Sequence, residues 1–139
     1  MLISREMDYA LRIIRALSSG PHSAQEIADM ETMTRAITLK VLNKLKKAGI
    51  ITSIRGQVGG YQLKEHWQNL TLCDLIAAME GDLLVNRCQC PGYTCENCPE
   101  GCAFRNELSR IQNVLYTELT RRTLQEILQA YPSQKGESS

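Results

Sequence analysis

Two short helical patterns joined by a tight turn, followed at once by a glycine-rich hairpin, leave this chain few folds to choose from. Ser23-Ala-Gln-Glu26 spaces a hydroxyl and a carboxylate as in a capping box, where each satisfies a free amide at a helix start. The helix it opens runs to about Met30. A turn leads into the next, from about Met33 to Ala48, with Ile37, Val41, Leu45 and Ala48 spaced to face inward. Gly49 suits a left-handed helix terminator. Ile50-Ile-Thr-Ser-Ile54 is β-branched and strand-like, Arg55-Gly-Gln-Val-Gly-Gly60 is a tight turn, and Tyr61-Gln-Leu63 returns as a second strand. Ahead of these, Ser4 caps a first helix to about Ser18, with Met7, Ala10, Leu11, Ile14 and Leu17 on one face and Gly20-Pro21 as its stop. The order is that of a winged helix-turn-helix.

The second half reads differently. Thr71-Leu-Cys-Asp74 opens another helix that carries Leu72, Leu75, Ile76 and Met79 to a stop at Gly81. Residues 86–103 lose all apolar periodicity. From Phe104 an amphipathic stripe resumes through Leu108, Ile111, Leu115, Leu119, Leu124, Ile127, Leu128 and Tyr131. One helix of that length cannot be covered by so small a domain, so a second copy of the chain is the expected partner. The predicted fold class is mainly α with a small β-hairpin wing, a winged helix-turn-helix plus a long C-terminal dimerisation helix. Its parts are a DNA-binding domain over 1–66, a connecting helix over 71–85, a cysteine-rich loop over 86–103, a dimerisation helix over 104–131 and a disordered tail over 132–139.

Net charge is only +1, but its distribution is uneven. Between Met33 and Lys64 stand seven basic residues (Arg35, Lys40, Lys44, Lys46, Lys47, Arg55, Lys64) and no acidic one. A positive field confined to the presumed reading segment is what a double-stranded DNA partner requires. The first turns of the second helix of a helix-turn-helix meet base edges, which selects Thr34, Arg35, Thr38 and Lys40. Arg35 can contact guanine in a bidentate manner, and the threonines suit phosphate or a thymine methyl. Arg55 and Gln57 sit in the wing, where an arginine can enter a narrow minor groove.

Five of the six cysteines fall within 15 residues, Cys88-Gln-Cys90-Pro-Gly-Tyr-Thr-Cys95-Glu-Asn-Cys98-Pro-Glu-Gly-Cys102. Thiolates are good metal ligands, and turns with proline and glycine let a short loop wrap an ion or cluster. Cys95, Cys98 and Cys102 partly echo the spacing of a ferredoxin run, while four thiolates at short spacing also suit tetrahedral zinc; the residues alone leave both readings open. Cys73 lies in an amphipathic helix and reads as a buried apolar residue. A thiol cluster of this kind, with no signal-peptide layout and no run of about 18 apolar residues, leads us to expect a cytoplasmic protein that does not span a membrane. The two histidines, His22 and His66, stand beside no nucleophile motif, and neither a phosphate loop nor a carboxylate constellation occurs, so no enzyme is expected.

The chain resembles the Rrf-two (Rrf2) family of winged-helix regulators over residues 1 to about 128, and within it the iron–sulfur, IscR- and NsrR-like branch. The likeness rests on Ser4-Arg5-x2-Asp8-Tyr9-Ala10-Leu11-Arg12, on Leu45-x3-Gly49-Ile50-x2-Ser53-x-Arg55-Gly56-x2-Gly59-Gly60-Tyr61-x-Leu63, and on Leu72-x2-Leu75-Ile76-x2-Met79-Glu80-Gly81. It implies a homodimer that binds a DNA operator and represses or activates according to the state of an iron–sulfur cluster (2Fe-2S or 4Fe-4S). It moves zinc to second place as cofactor. Three cysteines about six apart are usual in that loop. Cys102 matches the last, Cys95 is one residue off the second, Cys90 or Cys88 is the first, and Cys98 is additional. The histidine that completes the ligand set in one branch is replaced by Arg105. In the other branch an aspartate of the partner subunit serves, and Asp8 stands at that position. Ala36 and Leu39 replace polar base-facing residues, so the operator sequence does not carry over.

Overall fold

Hydroxyl side chains start five of the six helices in the computed structural model, which describes residues 3–98 and 100–132. Ser4 accepts from Met7, Ser23 from Glu26, Thr34 from Ile37, Thr71 from Asp74 and Thr123 from Glu126. The helices are α1 (Arg5–Leu17), α2 (Ala24–Glu31), α3 (Arg35–Lys47), α4 (Leu72–Glu80), α5 (Ala103–Thr120) and α6 (Leu124–Ala130). Between α3 and α4 lie strands β1 (Ile51–Ile54) and β2 (Gly60–Leu63), then a 3-10 turn over Glu65–Asn69; a shorter one covers Arg87–Gln89. The mainly helical fold with a two-stranded wing is the expected class.

One core serves α1 to α4 and the wing. Met7 and Ile13 from α1, Ile27 from α2, Val41, Leu42 and Leu45 from α3, Ile51 from β1 and Leu75 from α4 are all fully buried. Shortening one of these to alanine costs about 2–5 kcal/mol. Arg12 and Arg15 tie α1 to the end of α2: Arg15 pairs with the buried carboxylate of Glu31, and Arg12 donates to the Glu31 carbonyl at 3.4 Å. The turn between α2 and α3 bends at Thr32, whose φ of 55° makes it the one left-handed non-glycine among the described residues.

The wing is an antiparallel pair in the register Ile51↔Leu63, Thr52↔Gln62, Ser53↔Tyr61, Ile54↔Gly60. His22 extends it, exchanging both backbone hydrogen bonds with Tyr61, at 3.1 and 2.8 Å. This pairing explains Gly60: a Cβ there would stand 2.7 Å from the His22 carbonyl oxygen.

Four sequence expectations need correction. Glu26 does not complete the α2 capping box; Ser23 does its part, but the carboxylate turns to His22 Nδ1 at 2.9 Å. The inward stripe of α3 is Thr38, Val41, Leu42 and Leu45, whereas Ile37 is half-buried and Ala48 exposed. The 3-10 turn over Glu65–Asn69 was not foreseen. Most consequentially, the helix expected over 104–131 is two helices, broken between Thr120 and Leu124. Thr123 and Glu126 form a complete capping box, and the Leu124 amide donates to the Leu70 carbonyl at 2.7 Å. α6 thereby packs on the 3-10 turn, with Leu124 in the core. Of the stripe residues beyond Thr120, Leu124 is buried and Ile127 and Leu128 are half-buried, while Tyr131 is exposed. α5 stays largely uncovered: none of its residues is buried, and Phe104, Ile111, Val114 and Tyr116 are exposed. Of the expected disordered tail, residues 133–139 lie outside the described residues. No helix among the described residues is long and apolar enough to cross a membrane.

Candidate nucleic-acid interface and cysteine cavity

α3 begins at Arg35 because Thr34 caps it, so the Thr34 hydroxyl already accepts the Ile37 amide at 3.3 Å. Arg35 and Ala36 in the first turn are exposed, as are Lys40, Asn43, Lys46 and Lys47 further along, and Leu39 is half-buried. Thr38 is not on this surface. It is completely buried and its Oγ1 donates to the Thr34 carbonyl at 2.8 Å, so it shapes the start of α3 and cannot meet DNA. A short polar side chain within a helix can satisfy its hydroxyl on the carbonyl four residues earlier, which is how a threonine enters an apolar core without an unpaired polar group. Lys40 is exposed but engaged: its Nζ lies 2.6 Å from Glu6 of α1, and Lys44 pairs with the other oxygen of the same carboxylate. Those two ammonium groups hold the Glu6 carboxyl at a pKa of about 2, with the hydrogen bond from Lys40 as the largest cause. In the wing turn, Arg55 and Gln57 are exposed beside Val58.

The cysteine loop is fastened to α5 by two glutamines. Gln112 accepts from the Val85 amide at 2.8 Å and donates to the Leu83 carbonyl at 2.9 Å. Gln89 accepts from Ser109 at 2.9 Å and donates to the Arg105 carbonyl at 3.4 Å. These anchors bring Cys88, Cys95, Cys98 and Cys102 to the wall of one cavity of about 420 Å3, shared with Arg87, Tyr93 and Arg105. Cys90 is half-buried and does not line it, whereas Cys88 does. Among the described residues no three Cys, His, Asp or Glu side chains are gathered closely enough to hold a metal ion; the four thiols share a cavity rather than a closed polyhedron.

Cys102 is the residue from which α5 starts. No side-chain cap hydrogen bond closes that helix end, yet the Arg105 amide first, and then that of Phe104, draw the Cys102 thiol below its ordinary pKa. Cys98 is exposed as a residue while its side chain lines the cavity. Desolvation, then the neighbouring Cys102 and Cys95 thiols, raise its pKa. Cys73 stands apart, half-buried in a small cavity with Leu83, Leu84 and Gln112, and desolvation raises its thiol. Asp8 also stands apart within one chain: it pairs with Arg12 at 3.1 Å and lines a groove with Leu11, Leu124 and Ile127.

The family model described as "Rrf2: Iron-dependent Transcriptional regulator" matches residues 3–130, nearly the whole chain. This chain belongs to the Rrf2 family. Among solved structures, this Rrf2 regulator is similar to CymR (YrzC), the global cysteine regulator of B. subtilis, at 28% identity over 93% of this chain and 97% of that one, with a TM-score of 0.76. A transcriptional regulator of Listeria innocua is similar at 26% identity, covering 99% of this chain and 92% of that one, with a TM-score of 0.75. IscR of T. potens shares the fold, at 21% identity over 97% and 92% of the two chains and a TM-score of 0.72. Rrf2 proteins are DNA-binding transcriptional regulators, not enzymes. Sequence reading missed the Glu6–lysine contact and both glutamine clamps in this Rrf2 chain, because each joins residues far apart in sequence. The break before α6 had a legible signal: Thr123-Leu-Gln-Glu126 is a capping signature inside the apolar stripe.

Proposed function

We propose that this Rrf2 regulator is a homodimer whose affinity for its DNA operator responds to an iron–sulfur cluster held by the cysteine loop. One observation carries the reading: four thiols from the loop and its junction with α5 line a single cavity. The donor set fits such a group. The ligands are soft, the cavity is larger than a lone ion needs, and the Cys102 thiol is drawn below its ordinary pKa by the amides at the start of α5. The family description, which names iron, supports it as well. Cys88, Cys95, Cys98 and Cys102 would hold the cluster. Asp8 is available only from a second copy, because within one chain it lines a different groove. When bound, the cluster supplies iron sites whose state follows iron supply, nitric oxide or oxidants.

The chain's own residues do the rest. Cys102 fixes one edge of the loop to the first turn of α5, and Gln89 and Gln112 fix the other. Ordering the loop therefore bears on α5, which packs on α4, which packs on α1 and α3. On the DNA side, Arg35 and Lys40 at the start of α3 and Arg55 and Gln57 in the wing form the contact set, with Thr34 contributing through the helix start it caps. Exposed Ile111 and Val114 of α5 offer the dimer face.

The test is the visible spectrum of anaerobically purified protein, with iron and acid-labile sulfide measured across single Cys→Ser variants and operator affinity compared between holo and apo forms. A coloured protein that loses its iron in Cys102→Ser, and whose two forms differ in affinity, is the expected result. The open spacing of the thiols and the likeness to the cysteine regulator favour one alternative, a zinc-bound or thiol-redox loop with no iron–sulfur cluster. A colourless, zinc-loaded or metal-free protein that still binds its operator would establish it.

A further inference from the structure

We infer that Glu6 is a specificity-determining residue, holding the Lys40 and Lys44 ammonium groups of the DNA-reading helix so that sequence-independent DNA does not capture them freely. The inference rests on the reading that this face of α3 meets DNA. Residues 33–64 contain no acidic side chain, so the carboxylate on this surface is brought in from α1 by the fold. The pair is not a loose surface contact. One carboxylate spans two lysines a helical turn apart, one oxygen each, and the Glu6 side chain is only 31% exposed. A pKa near 2 keeps it ionised near neutral pH. The three groups together carry one net positive charge, not two.

Two consequences follow. A DNA phosphate that would take either lysine must displace a carboxylate already in place, which weakens the electrostatic contact common to all DNA. A lysine is a point charge on a flexible stem, and anchoring it leaves less motion to freeze when an operator is bound in one register. Glu6 is therefore a positioning residue for DNA recognition rather than a DNA contact.

Removing it exposes one more net charge. For a random-sequence duplex, Glu6→Gln should tighten binding at low salt and steepen the dependence of log K on log salt by about 0.9. Between about 50 and 200 mM salt the variant should then lose about 3.5-fold more affinity than wild type. For a duplex selected in vitro by the wild-type protein the gain should be smaller, so the ratio of selected to random affinity falls. Glu6→Ala is run beside it as a second charge removal with a strong helix former, so that a folding defect in one variant does not decide the matter. Lys40→Ala/Lys44→Ala, with and without Glu6→Gln, completes the set. The effect of Glu6→Gln on the salt slope should shrink when both lysines are absent, because only the repulsion of a bare carboxylate is then removed. If the lysine double variant binds random DNA as wild type does, this helix face is not the interface and the functional reading of α3 fails. If that variant is weakened while Glu6→Gln and Glu6→Ala keep wild-type affinity and slope, the interface stands and the role of Glu6 is overturned.

Discussion

Lys40 and Lys44 hold Glu6 ionised far below the range of an ordinary carboxyl, and that makes the α1–α3 contact sensitive to acid. The folded pKa of about 2 lies below the unfolded value of 4.5, so the stabilisation is fully present above about 4.5 and is lost as pH falls toward 2. The expected outcome is that wild type exceeds Glu6→Gln in urea midpoint near neutrality and that the gap closes by pH 2; a gap independent of pH would show that the ion pair contributes nothing. Because the groups are partly exposed, added salt should shrink the gap too. On the proposed DNA reading, Arg35 and Arg55 are expected to play different roles. Arg35→Ala should change which bases are preferred, at about 1–3 kcal/mol for a lost bidentate contact, whereas Arg55→Ala should weaken operator binding. A lost phosphate contact lowers the salt slope by about one. Mobility shifts over a salt series, with randomised operators, distinguish the two. Two single variants with wild-type affinity and preference would remove this face from consideration.

Helix termini govern behaviour at the scale of the elements. The α2–α3 turn bends through Thr32 in the left-handed region, where a β-branched side chain is strained by about 1–2 kcal/mol. Thr32→Gly relieves that strain but adds freedom to the unfolded chain, so a net gain of about 0.5–1 kcal/mol in stability is expected, read from the denaturation midpoint. A midpoint that falls would mean the threonine makes compensating contacts. α5 presents the complementary case of a face without a cover. Ile111 is 39% and Val114 51% exposed on the same long helix, and Phe104 is 79% exposed at its start. Ile111→Glu/Val114→Glu should shift the protein toward monomer in sedimentation while leaving the helical spectrum intact. A folded double variant that still sediments as a dimer would place the interface elsewhere. Leu119 and Leu124, which the repeat pattern also put on this stripe, belong instead to the protein's own core and its margin.

Across the whole molecule, the reading head and the cysteine cavity are parts of one chain that meet through α5 and α4. On the proposed reading, Asp8 joins the cysteine cavity only if a second copy supplies it, which would link dimerisation to cluster binding in a testable way. Asp8→Asn should hasten cluster loss on exposure to air in the dimer and have no such effect in the monomeric Ile111→Glu/Val114→Glu background, followed by the decay of visible absorbance. An equal effect in both backgrounds would mean that Asp8 acts only through its contact with Arg12.

How much of this was legible beforehand depended on the range of the forces involved. Capping hydroxyls, helical spacing, β-branched runs and turn glycines act over a few residues, and they specified α1, α3, the wing, α4 and the winged-helix order. The thiol spacing likewise grouped the cysteines of 88–102, four of which line one cavity. Local pattern also misled where two local answers were nearly equal. The apolar stripe continued past Thr120, but the capping box at Thr123 and the Leu124–Leu70 hydrogen bond turned it inward. Thr38 looked surface-bound by type and is core by position, since burial depends on which elements pack against α3. Only the tertiary structure decided that Cys88 rather than Cys90 faces the other thiols, and that Glu6 meets Lys40 and Lys44 across 34 and 38 residues of chain. Pairings of that separation are set by the packing of whole helices, and no short-range signal in the residues themselves encodes them.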